Sequence, residues 1–195
     1  YDFLQAFIKY TGNKANVQAV FSQAYPGLDL SDSNLSAGDL KILGDPKLGI
    51  LYEKADTLRD NNENGIRGEE ADFALAMKFY EAVYDFYQAY KSSPRQADIR
   101  KVFDTAYKDL TVTLPDGSTK VVSLTLDLTK GLSIDDLIIL GYYNAENKEG
   151  YGLIYEEKDG KGVIRSDFNA SMKFYVASYD FLQAFIKYTG NKANV

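Results

Sequence analysis

The sequence predicts a mainly α fold: two homologous helical half-repeats with one inserted β-hairpin, at about residues 111–128. Three observations carry this. Apolar residues recur at three- and four-residue spacing, as in Phe73, Met77, Tyr80, Tyr84, Tyr87 and Tyr90, which is the period of a helix face. The segment DFALAMKFYEAVYDFYQA from Asp72 is answered by DFNASMKFYVASYDFLQA from Asp167. Between them, TVTLPDGSTKVVSLTLDL from Thr111 alternates around Pro115, Asp116 and Gly117, the pattern of two strands and a turn.

Taken in order, the pattern places helices at 15–25, 36–43 and 46–58, and then a long helix from Glu69. Phe79, Val83 and Phe86 widen the apolar face of that long helix, which marks it as central to a core. Ser93-Pro94 ends it, because proline lacks the amide hydrogen and restricts the residue before it. A helix at 95–110 follows, with Ile99, Val102, Phe103, Ala106 and Tyr107 on one face, then shorter ones at 133–140 and 147–155. Further matches run in the same order in both halves: VFSQAY with VFDTAY, LSAGDLKILG with LSIDDLIILG, and GILYEK with GLIYEEK. The halves are about 95 and 83 residues long, and the hairpin accounts for much of the difference.

Composition narrows the chemistry. The chain has no His and no Cys, which removes thiol catalysis, disulfides, histidine acid–base work and the usual zinc ligands. The net charge of −6 leaves no electrostatic footprint for nucleic acid. No apolar run approaches membrane-spanning length, and the first residues lack the plan of a signal peptide. Adjacent acids such as Glu69 and Glu70 suit a solvated face better than a hydrolytic pair, and no nucleophile has a base beside it. The expectation is a protein that is not an enzyme.

Oxygen ligands are the metal chemistry left, and they cluster in the turns before helices. Asp60, Asn62 and Asn64 offer oxygens at alternate positions, Gly65 turns the chain, and Glu70 closes the segment. Asp29, Ser31, Ser33 and Asp39 follow the same plan, as do Glu157, Asp159 and Asp167. A fourth copy, at 126–136, has Leu126 and Leu128 where ligands would stand. This plan resembles an EF-hand calcium loop shortened to eleven positions, and the loop starts fall 31 residues apart in each half. The resemblance implies that each half is a degenerate EF-hand pair whose two loops meet in a short β-bridge, with calcium as the cofactor. A second reading of the same residues stays open. Ser36 with Asp39 and Ser133 with Asp136 have the spacing of helix capping boxes, which use the carboxylate without any metal.

The ends supply the functional expectation. Residues 179–195, YDFLQAFIKYTGNKANV, repeat residues 1–17 without a change. A period of 178 residues follows, and the chain divides into 1–71 (a half-repeat truncated at its start), 72–166 (the half-repeat with the hairpin) and 167–195 (the start of the next repeat). The expected role is a structural or adhesive repeat unit of a large, extracellular or cell-surface tandem-repeat protein, stabilised by calcium. Its partners would be neighbouring repeats and further copies of itself, with neither nucleic acid nor a membrane span. The alternative is a calcium-responsive binding module or an engineered switch, in which two copies of YDFLQAFIKYTG compete for one place.

Overall fold

The computed structural model describes residues 1–31, 34–52, 70–144, 149–150, 152–159 and 161–195. Within them the chain runs α1 (Asp2–Lys9), α2 (Lys14–Ala24), α3 (Ala37–Leu43), α4 (Glu70–Ser92), α5 (Gln96–Ala106), β1 (Leu110–Thr113), β2 (Thr119–Val122) and α6 (Ile134–Leu140). Then come β3 (Tyr143–Asn144), β4 (Glu149–Gly150), β5 (Tyr155–Lys158), β6 (Lys161–Ile164), α7 (Phe168–Lys187) and a 3-10 turn (Lys192–Asn194). The mainly helical class is as the sequence predicts.

α4 is the axis. α1 and α2 pack against it, and α5 and α7 pack against each other and onto it. Its apolar positions are wrapped along the whole length, so Phe73, Met77, Phe79, Tyr80, Val83, Phe86, Tyr87 and Tyr90 are all buried. It stops at Ser92, one residue ahead of Ser93-Pro94, as proline requires.

The two halves carry the same aromatic cluster. In the first, Phe3 meets Phe73 edge-on at 5.7 Å, and Phe21 lies 6.0 Å from Phe3, 4.7 Å from Tyr80 and 6.1 Å from Tyr25. In the second, Phe86 meets Phe168 edge-on at 5.7 Å, and Phe103 lies 6.3 Å from Phe86, 4.8 Å from Tyr175 and 5.8 Å from Tyr107. Sequence alignment pairs these residues one for one. Each cluster therefore needs the C-terminal part of one long helix, a following helix, and the N-terminal part of the next long helix. α4 serves both: Phe73 and Tyr80 close the first cluster and Phe86 opens the second.

The inserted hairpin forms as expected, with Leu110 opposite Val122 and Thr113 opposite Thr119. Its turn is held by the Gly117 amide donating to the Leu114 carbonyl at 2.9 Å, and Gly117 sits at φ 81°, where glycine is favoured.

Several expected elements are corrected. Residues 46–52 run through a turn and bends to a bridge residue at Tyr52 and do not start the helix expected over 46–58. The Asp45 carboxylate caps the Lys47 amide at 2.9 Å, and Gly49 has φ 70°, which leaves the helical region; residues 53–58 lie outside the described residues. The helix expected at 147–155 is also absent where the chain is described. Glu149–Gly150 pairs with Tyr143–Asn144, and Tyr155–Lys158 pairs with Lys161–Ile164. The sequence has two glycines in that stretch and an Asp-Gly hairpin signal after it, and Asp159 takes φ 55°. The helix expected to reach residue 110 stops at Ala106, and Leu110 already belongs to β1. The bridge expected between the 126–136 and 157–167 loops does not form among the described residues. β6 pairs with β5, and Asp127 bridges to Gly131 inside its own loop.

Candidate functional site

The loops come first, because they carry the predicted ligands. Asp39 stands at the third position of α3 and is buried. Its carboxylate accepts from the Ser36 amide at 2.7 Å, the Ser36 hydroxyl at 2.6 Å and the Asp29 amide at 3.1 Å. The hydroxyl bond, the largest influence, holds its pKa below the ordinary carboxylate value against the opposing effect of burial. Asp29 turns outward and accepts from the Ser31 amide at 2.9 Å and hydroxyl at 2.6 Å, which lowers its pKa too. Ser33 lies outside the described residues.

The fourth loop has the same latch, with Leu126 in place of Asp29 and the outer acid moved to Asp127, which accepts from the Thr129 amide at 2.7 Å and hydroxyl at 2.6 Å. Asp136 is wholly buried and accepts from the amides of Ser133 at 2.9 Å, Thr125 at 2.6 Å and Leu126 at 3.1 Å. In both halves, then, a carboxylate in the first turn of a short helix holds the amide ten residues before it. Both capping boxes are formed.

Of the other predicted ligands, Glu157, Asp159 and Asp167 form no metal-holding group among the described residues. Glu157 lies in β5 opposite Gly162, Asp159 follows β5, and Asp167 caps α7 by accepting the Ala170 amide at 3.0 Å. Asp60, Asn62 and Asn64 lie outside the described residues, and Glu70 begins α4. Among the described residues no group of three or more acids is placed to hold a metal ion.

One acidic pair was not singled out from the sequence. Glu81 and Asp85 line a cavity of about 670 Å³ between α4 and the start of α7, with Lys78, Arg165 and Asp167. Desolvation, then the charge of Glu81, raises the Asp85 pKa. Glu81 itself accepts the Tyr10 hydroxyl and the Asn13 amide, which ties the end of α1 to α4. The signal for this pair was the i,i+4 spacing of two acids on a helix otherwise lined with aromatics.

The second candidate surface is the repeated segment. Locally its two copies fold alike. Tyr10 and Tyr188 end their helices at φ −59°, ψ 126° and φ −63°, ψ 127°, after which Asn13 caps α2 and Asn191 caps the 3-10 turn. Lys14 and Lys192 each reach back to a carbonyl six residues earlier, on Ile8 and Ile186. Their surroundings are opposite. Phe3 and Leu4 are 3% and 6% exposed against α2 and α4, whereas Phe181 and Leu182 are 69% and 48% exposed on α7. Ile186 and Tyr188 extend that apolar face. α7 is fastened to its own half just before it: Arg95 grips Asp180 with two bonds of 2.7 Å, and Lys101 meets the Tyr179 hydroxyl at 3.1 Å.

No helix among the described residues is long and apolar enough to cross a membrane. Compared with known proteins, the chain matches no family model, no curated protein and no solved structure.

Proposed function

We propose that this chain is a non-enzymatic structural repeat unit of a large tandem-repeat protein, built to join copies of itself end to end outside the cell. One observation carries the reading: in two copies of one 17-residue sequence, Phe3, Leu4, Ala6 and Phe7 of the first are buried, whereas their counterparts Phe181, Leu182 and Ala184 are exposed and Phe185 is half-buried, although both copies form a helix there. An apolar helix face in water is costly, and here the surface that covers that sequence is visible at the other end. The absence of cysteine and the acidic charge suit a secreted array that depends on repetition in place of disulfides. An acid–base role for Glu81 and Asp85 is disfavoured, because Glu81 is already occupied by Tyr10 and Asn13.

Calcium belongs to this proposal at the 60–70 loop, where Asp60, Asn62, Asn64 and Glu70 keep the alternating oxygens, the glycine turn and the closing carboxylate. At the 29–39 loop the observed bonds favour capping, which needs no ion.

The deciding experiment is to read the coding sequence beyond Val195. A continuation as QAVFSQAY into a further unit is the expected result. A stop codon or unrelated sequence overturns the array and leaves the duplication as a device within one molecule.

A further inference from the structure

We infer that α7 is a helix shared between copies: its C-terminal half seats in the α2–α4 groove of a second copy in place of that copy's α1, and Phe174 stacks on that copy's Tyr52. The inference deepens the array reading by naming the partner and the contact, and rests on it only for the setting in a longer protein.

Two arrangements within the molecule are its templates. The first is α1, whose residues are those of 180–187 and whose seat is the groove in question. The second is α4, the homologue of α7, which runs unbroken through two aromatic clusters and is covered by both. α7 closes its own cluster with Phe168 and Tyr175, as α4 does with Phe73 and Tyr80. It then continues, as α4 does, into the residues that open the next cluster, but among the described residues no helix or strand covers them.

Phe174 gives evidence independent of the duplicated segment, since it lies before residue 179. Its counterpart on α4 is Phe79, which is fully buried and stacks on Tyr155 with ring centroids 6.1 Å apart and planes 7° from parallel. Tyr155 belongs to the half that follows α4. Phe174 is 66% exposed. The half that would follow α7 begins another unit, and there GILYEK places Tyr52 where GLIYEEK places Tyr155. The two exposed parts of α7 are thus the parts that a following copy would cover.

The chain's own α1 competes for the groove. It is joined to α2 by residues 10–13, so it holds its place with an effective concentration on the order of millimolar. Weakening α1 alone, through Phe3→Glu, should release the groove.

The test uses the full chain. In light scattering, Phe3→Glu is expected to rise above the single-chain mass as concentration increases, by adding chains head to tail. Phe3→Glu/Phe181→Glu is expected to return to the single-chain mass. Because the chain has no cysteine, Phe174→Cys in one Phe3→Glu chain and Tyr52→Cys in another should be joined by a short bismaleimide, while neither joins to its own kind. If Phe3→Glu unfolds the chain, a peptide of residues 168–195 is titrated in, and recovery of the folded chain's circular dichroism supports the shared helix. A folded Phe3→Glu chain that stays single, association that survives Phe181→Glu, a missing cross-link, or no recovery with the peptide each overturns it. A gene that ends after Val195 would remove the array and leave this contact standing; single-chain behaviour would remove the contact and leave the array.

Discussion

At the scale of single residues, the two halves differ in how they satisfy one hydroxyl. The Tyr175 and Tyr107 hydroxyls are hydrogen-bonded to each other, and burial followed by nearby Tyr107 raises the Tyr175 pKa well above that of a free tyrosine. In the first half Tyr25, the counterpart of Tyr107, turns to the Leu48 carbonyl at 2.8 Å, and the buried Tyr80 hydroxyl has no partner among the described residues. An unmade buried hydrogen bond costs free energy, so equivalent substitutions should have opposite signs. Tyr80→Phe should gain up to about 1 kcal/mol and Tyr175→Phe should lose about 1 kcal/mol in urea unfolding. Equal effects would show that the halves are not distinguished in this way. The latch at Asp39 makes a second prediction. Its folded pKa is lowered, so its contribution is whole above the unfolded carboxylate value and fades as pH falls through the folded one. The urea midpoint should fall below about pH 4, and Asp39→Asn should lower the midpoint at neutral pH and flatten that fall. An unchanged slope would place the acid sensitivity elsewhere.

At the scale of elements, identical sequence in different surroundings gives a direct measure of what packing contributes. Phe3→Ala should cost about 3–5 kcal/mol, the usual loss for a buried phenylalanine, while Phe181→Ala should change the single chain by less than about 0.5 kcal/mol. Similar costs at both sites would mean that the exposed copy is covered in solution. The helices were legible because their signals are local: apolar spacing, the Ser36 and Ser133 caps, the proline after Ser93. The 111–128 hairpin was legible for the same reason. What failed were segments with competing signals. Residues 147–164 contain acids, two glycines, an Asp-Gly pair and a Gly-Val-Ile run, and the described part follows the strand and turn signals, with Tyr155–Lys158 paired to Lys161–Ile164 in place of a helix reaching residue 155. The latch of Asp39 onto the Asp29 amide was legible only in part. The capping box is a three-residue pattern, but a carboxylate holding an amide ten residues away depends on how the loop folds back.

At the scale of the whole molecule, the internal repeat seen in sequence corresponds to two aromatic clusters of matching geometry on a common axis. Sequence alone could not show that α4 belongs to both, since that depends on which neighbours wrap each part of the helix. Calcium is tested at this scale, because binding to the folded chain alone raises its stability by mass action. The melting temperature should be higher in millimolar calcium than in chelator, and Asp60→Ala should remove the difference. Identical melting in both would leave capping as the role of all four loops.

The unbroken run of α4 from one cluster into the next has a mechanical consequence. Phe73 and Phe86 are 13 residues apart, about 20 Å of helix, and Phe168 and Phe181 repeat that interval on α7. In the proposed array, units joined through such helices would have no slack between them. A pull along the array would not first straighten a tether; it would act at once on the aromatic clusters, and length would be released in abrupt steps as each cluster tears open.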